Sequence, residues 1–145
     1  MNKHHINRLE KLYTFLGTVK PTKFNFGSWA VSESGKPDVN VCGTTACALG
    51  WAASMPEFRK RGLKLVWEKF DGEVEAEVRL HTSDSDPNWP FLGENAGAVF
   101  FGLTYREACY LFIPADDASL DMPLNKYRQR LRKFIDKKKR ELKIT

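Results

Sequence analysis

The sequence predicts a small α+β domain, and three observations carry that prediction. Apolar residues recur at spacings of three and four near both ends of the chain. Apolar residues alternate with mostly charged ones from Leu63 to Leu80, around Asp71-Gly72. Cys42–Ala53 holds no charge in a chain of which 28% is charged, so this segment is buried or lines a pocket. The expected architecture is a central short helix and a β-hairpin packed with amino-terminal, paired and basic carboxy-terminal helices, in one domain spanning 1–145.

His5 to Leu16 places Ile6, Leu9, Leu12, Tyr13 and Leu16 on one helical stripe, with Gly17 as terminator. Pro21 opens a short extended segment in which Phe24 and Phe26 alternate with Lys23 and Asn25, and residues 31–41 read as a loop. In the uncharged stretch, Thr44 or Thr45 is suited to cap a helix that the alanines propagate. Ala46, Gly50 and Ala53 would share a stripe along which another element approaches closely. Pro56 displaces Met55 from the helical region and closes that helix.

A two-residue turn at Asp71-Gly72 sets Trp67 opposite Ala76, Leu65 opposite Val78 and Leu63 opposite Leu80, one face on the core and one in water. Residues 83–90 form a loop. From Glu94, the residues Ala96, Val99 and Phe100 make a short helix ended by Gly102; Thr104 and Glu107 then form a capping box for a helix that turns Ala108, Leu111 and Phe112 inward. Leu124, Tyr127, Leu131, Phe134, Ile135 and Leu142 are the apolar stripe of the final helix.

A chain of 145 residues buries roughly two-thirds of its unfolded surface without staples. Its three cysteines are an odd number, and the four residues between Cys42 and Cys47 match neither a disulfide framework nor a zinc pair; reduced thiols in a cytoplasm fit. No apolar run approaches the roughly twenty residues a membrane span needs. The net charge of +5 divides into +8 over 124–145 and −3 elsewhere, a mildly acidic body with a basic terminal helix. Asp84-x-Asp86-x-Asn88 opens like a calcium loop, but Trp89 stands where that loop needs glycine and Asn95 where it needs glutamate, so no metal is expected. A helix-turn-helix reading of 103–108 fails because Pro114 and Asp116-Asp117 stand where a reading helix should follow.

Phe26-x2-Trp29, the run Cys42-Gly43-Thr44-Thr45-Ala46-Cys47-Ala48-Leu49-Gly50-Trp51-Ala52 and Phe100-Phe101-Gly102-Leu103-Thr104-x2-Glu107-Ala108-x2-Leu111-Phe112 precede a closing Arg-rich helix. In that order they resemble a group of small uncharacterised phage and bacterial proteins. The resemblance covers most of the chain and implies a small soluble intracellular domain encoded by a phage. It implies no activity and no catalytic residue.

The expected site gathers Cys42, Gly43, Thr44 and Thr45, as a helix amino end offering N–H groups to an anion, with Trp29 and Trp89 as loop aromatics that could wall a pocket. It points to a non-catalytic module that binds a small anionic, nucleotide-like ligand, with no cofactor; in a phage, that module would sequester a host nucleotide. Two other readings stay open. The basic final helix could serve a nucleic acid or a protein partner. Cys42 could be an activated thiolate, although the only histidines, His4, His5 and His81, stand far from it in sequence, the first two expected in solvent.

Overall fold

The computed structural model describes residues 1–32, 44–70, 73–83, 86 and 88–143. The first helix, α1 (Lys3–Leu16), buries Ile6, Leu9, Leu12 and Leu16. It starts two residues earlier than expected because Asn2 caps it. Asn2 Oδ1 accepts the His5 N–H and His5 Nδ1 accepts the Asn2 N–H, both at 3.1 Å, which satisfies two amides with no partner inside the helix. Tyr13 is only half-buried, and the guanidinium groups of Arg128 and Arg132 lie 4.2 and 5.0 Å from its ring centre. Gly17 ends the helix in a right-handed conformation, φ −65°, rather than as a left-handed cap.

A 3-10 turn at Pro21–Lys23 leads to Phe24, which bridges Ala46 in parallel. Strand β1 (Val31–Ser32) then pairs antiparallel with β2 (Thr44–Thr45), Val31 opposite Thr45 and Ser32 opposite Thr44. This pairing overturns the expected cap. The threonines are strand residues, in keeping with the β preference of branched side chains, and the central helix α2 (Ala48–Ala52) begins after them. Its cap is Cys47, whose Sγ accepts the Gly50 N–H at 3.4 Å. Cys47 is 1% exposed and its own N–H donates to the Ser28 carbonyl at 2.8 Å, so α2 begins inside the core and not at a surface. The close approach expected at Gly50 is present. A Cβ there would fall 1.6 Å from the Trp29 carbonyl oxygen and 3.0 Å from the Ala46 Cβ, although Ala46 lies off the helix. Pro56 opens the single-turn α3 (Pro56–Arg59), at a position where its missing N–H leaves no bond unmade.

Strands β3 (Leu63–Phe70) and β4 (Glu73–Leu80) pair in the expected register, Leu63 with Leu80, Leu65 with Val78 and Trp67 with Ala76. Asp71-Gly72 itself lies outside the described residues. Leu63, Val78 and Leu80 are buried while Leu65, Trp67 and Ala76 are half-buried, so the hairpin is anchored at its base. A third strand, β5 (Phe91–Leu92), extends the antiparallel sheet to the order β3-β4-β5. Two residues are too few to show an alternation.

Helix α4 (Gly93–Phe101) ends at Gly102, whose φ of +65° is left-handed. Val99, one of the residues from which this helix is read, is 42% exposed; Ala96, Gly97, Phe100 and Phe101 take the core face. Helix α5 (Tyr105–Phe112) starts on the expected Thr104/Glu107 capping box. The last helix, α6 (Leu124–Glu141), buries Leu124, Tyr127, Leu131 and Ile135. Phe134 is half-buried and Leu142 is 38% exposed, which narrows the expected stripe. Tyr127 is wholly buried between Phe24 and Phe26, ring centres 5.3 and 5.5 Å away, and its hydroxyl donates to the Leu111 carbonyl at 2.8 Å. Among the described residues no helix is long and apolar enough to cross a membrane.

Helices α1 and α6 are fastened by a charged clamp. Arg132 donates to both oxygens of Glu10, at 2.8 and 2.7 Å, and pairs with Asp136 at 2.9 Å, while Lys139 approaches Glu10 as well. These bonds hold the Glu10 carboxyl down from an ordinary 4.5 to about 2, against the opposing effect of its partial burial. Above about pH 5 the clamp is fully formed. Acidification removes its contribution progressively towards pH 2, because the unfolded chain takes up the proton first. Glu10→Gln is expected to lose about 1 to 2 kcal/mol at pH 7, allowing for solvent screening, and to lose much less at pH 3; urea melts at the two pH values read the difference.

Candidate functional site

Of the residues expected to form one anion site, the four described ones, Trp29, Thr44, Thr45 and Trp89, do not share a pocket. Trp29 walls a cleft of about 400 Å³ with Phe26, Phe112, Ile113, Pro114 and Ala76, and the charged residue lining it is Glu75. That cleft is apolar with a carboxylate at its edge, the wrong sign for an anion. Thr45 lines a separate hollow beside Asn25 and Asp121, and Thr44 pairs with Ser32. Trp89 is 78% exposed and lines neither space. Cys42 and Gly43 lie outside the described residues, as do Asp84, Ser85 and Pro87 of the acidic loop. Cys47 is an unsuitable nucleophile, since complete burial pushes its thiol up to about 11. Among the described residues no three His, Cys, Asp or Glu side chains are grouped as a metal ion would require.

Positive charge converges elsewhere. A pocket of about 430 Å³ lies where the start of α1 meets α3, lined by Asn2, His4, His5, Asn7, Arg8, Lys11, Glu57, Phe58 and Arg61. Helical spacing sets Arg8 and Lys11 one turn apart on α1. Arg8 is held rigidly, its Nη1 donating to the Phe100 carbonyl at 2.7 Å and its guanidinium 4.2 Å over the Phe100 ring. Arg61 enters from the turn after α3. Partial burial, and then the neighbouring Arg61, lower the affinity of Arg8 for its proton. The carboxylate in the pocket, Glu57, is already paired with Lys11. His5 lies half-buried against Gly102 instead of in solvent, and burial, followed by the charges of Arg8 and the chain amino group, holds its imidazole below its usual range. The neutral ring keeps Nδ1 free to accept the Asn2 N–H.

Helix electrostatics add to this field. The first turn of α1 holds no acidic residue although a helix amino end favours negative charge, and Lys3, His4 and His5 stand there instead. The amino end of α1 therefore meets the guanidinium groups of Arg8 and Arg61 with no carboxylate in its first turn to offset them. The site was missed in the sequence because it joins residues 2–11 to 57–61, two segments with no shared motif. The readable sign was the missing acidic residue in the first turn of a capped helix.

About half of the ten basic residues of 124–145 are engaged within the fold. Arg128 stacks on Tyr13, Arg130 donates to the Tyr110 carbonyl at 3.0 Å, Arg132 and Lys139 hold Glu10, and Lys138 pairs with Glu107 and Glu141. The terminal helix is therefore not the wholly solvated basic face its composition suggests. No family model, no curated protein and no solved structure matches the chain.

Proposed function

We propose that this protein is a non-catalytic binding module for a small anionic, phosphate-bearing ligand, and that the ligand occupies the pocket between α1 and α3. The observation that carries this reading is the convergence of Arg8, Arg61 and the amino end of α1 around a space whose carboxylate, Glu57, is already paired. A pocket of about 430 Å³ falls within the size range of small-ligand sites. Arg8 is fixed in advance by Phe100, so an incoming phosphate orders one side chain fewer. Arg61, which is exposed, supplies a second fork. A nucleotide is one ligand of this class, and in a phage setting the physiological form would be sequestration of a host nucleotide. This location replaces the threonine-capped helix end as the anion site; the class of ligand is unchanged.

The test is calorimetry and thermal melting with pyrophosphate and a panel of nucleotides. A ligand present at a hundred times its dissociation constant raises stability by about 2.7 kcal/mol, a shift of several degrees in a chain of this size. Arg61→Gln is expected to weaken binding at least tenfold while leaving the unliganded melting temperature within a degree, since the side chain is exposed. Wild-type affinity in Arg61→Gln would place the ligand elsewhere, and the absence of any shift across the panel at millimolar concentration would remove the reading.

A further inference from the structure

We infer a second binding site, independent of the first, in which the groove between α5 and α6 holds a short segment of single-stranded nucleic acid. The groove has a volume of about 340 Å³; Tyr110 and Phe134 supply its apolar lining and Arg106, Lys133, Lys137 and Lys138 its cations. Helical spacing builds it. Arg106 and Tyr110 are one turn apart on α5, and Lys133 and Lys137 are one turn apart on α6, about 6 Å along the axis, with Phe134 beside them.

Two observations set the chemistry of the occupant. Among the described residues Arg106 and Lys133 are in no ion pair, and Lys137 reaches Glu141 only at 3.9 Å, whereas the groove's one carboxylate, Glu107, is taken up by Lys138 and by the Thr104 cap. The surplus charge calls for an anionic partner. The lining is aromatic: Tyr110 is 52% exposed, with the Arg130 guanidinium 4.6 Å over one face of its ring so that the opposite face is left for a base, and Phe134 is half-buried with the Lys138 ammonium 5.6 Å from its ring centre. Flat rings between paired cations suit a chain that alternates bases with phosphates, in which a base stacks on the ring while flanking phosphates meet the lysines. A duplex fits poorly, because its bases are not available to stack in a groove of this size. An acidic peptide would satisfy the cations but leave the rings without a flat partner.

The experiment is fluorescence anisotropy with fluorescein-labelled ten-residue oligothymidylate and oligouridylate at low salt, the two arms separating DNA from RNA. Binding of at least one is expected, with log affinity falling linearly against log salt. Lys133→Gln with Lys137→Gln should weaken it at least tenfold and flatten the slope by about 1.4, the value for two phosphate contacts on a single strand. Tyr110→Leu, at a more exposed position than Phe134, should weaken binding without changing the slope. Lys20→Gln with Lys126→Gln removes the same charge outside the groove and should bind like wild type. Circular dichroism melts check that each variant is folded. The inference is overturned if neither oligonucleotide binds, if the groove pair binds like wild type, if the control pair weakens binding equally, or if polyglutamate of the same length competes as well as the unlabelled oligonucleotide.

Discussion

Gly50→Ala is expected to leave no stably folded protein, although it adds a single methyl group. The added Cβ would lie 1.6 Å from the Trp29 carbonyl oxygen and 2.8 Å from its carbon, both backbone atoms that no rotamer change can move aside. Trp29 and Ser28 cannot retreat cheaply, because the Ser28 carbonyl accepts the Cys47 N–H that starts α2. Overpacking ordinarily costs about 1 to 3 kcal/mol; with backbone on the receiving side the loss should exceed about 4 kcal/mol, a large part of a typical domain's stability. Chemical denaturation of the purified variant, or its failure to accumulate in soluble form, measures this. A variant that unfolds within 1 kcal/mol of wild type would mean that α2 and the Trp29 segment do not meet as described.

Phe101→Ala should destabilise by about 3 to 5 kcal/mol, the range for emptying a buried aromatic position. Phe101 is fully buried at the centre of a ring cluster, with Phe58, Phe100 and Phe112 at centroid distances of 5.8, 5.0 and 5.8 Å; Phe58 and Phe100 meet it edge-on. Three elements, α3, α4 and α5, lose a shared contact at once, so collapse into the void is restricted. Phe101→Leu retains much of the volume and should lose about half as much. The contrast between the two, read from urea midpoints at constant slope, separates a cavity from a general loosening of the core.

What could be read from the sequence was whatever depends on near neighbours in the chain. The hairpin register follows from a period of two and the short Asp71-Gly72 connection, and all three expected pairs are present. The Thr104/Glu107 box and the Gly102 terminator were equally legible, because each is a hydrogen-bond arrangement closed within one helical turn. The start of α2 was not. Thr44 and Thr45 suit a cap or a strand equally, and the choice was made by Val31 and Ser32, which lie more than ten residues earlier. The cap fell to Cys47, a residue type seldom expected in that role. The candidate site was harder still to foresee. Arg8 meets Arg61 only because α1 lies across the α3 turn and Phe100 fixes one of the two guanidinium groups, and no periodicity encodes such a meeting. The two loop tryptophans divide: Trp29 walls a cleft while its backbone carbonyl packs against Gly50, whereas Trp89 is 78% exposed and does not line that cleft.

The clamp between α1 and α6 also bears on how the chain is made. Glu10 and Arg132 are 122 residues apart, and the stripe of Ile6, Leu9, Leu12 and Leu16 packs against a helix near the other end of the chain. At roughly 5 to 20 residues per second of synthesis, α1 leaves the ribosome on the order of ten seconds before its partner. Throughout that interval four large aliphatic side chains stand without their final cover. The nascent chain therefore presents this apolar stripe before its cover exists, and a chaperone or another nascent chain can meet it before α6 does.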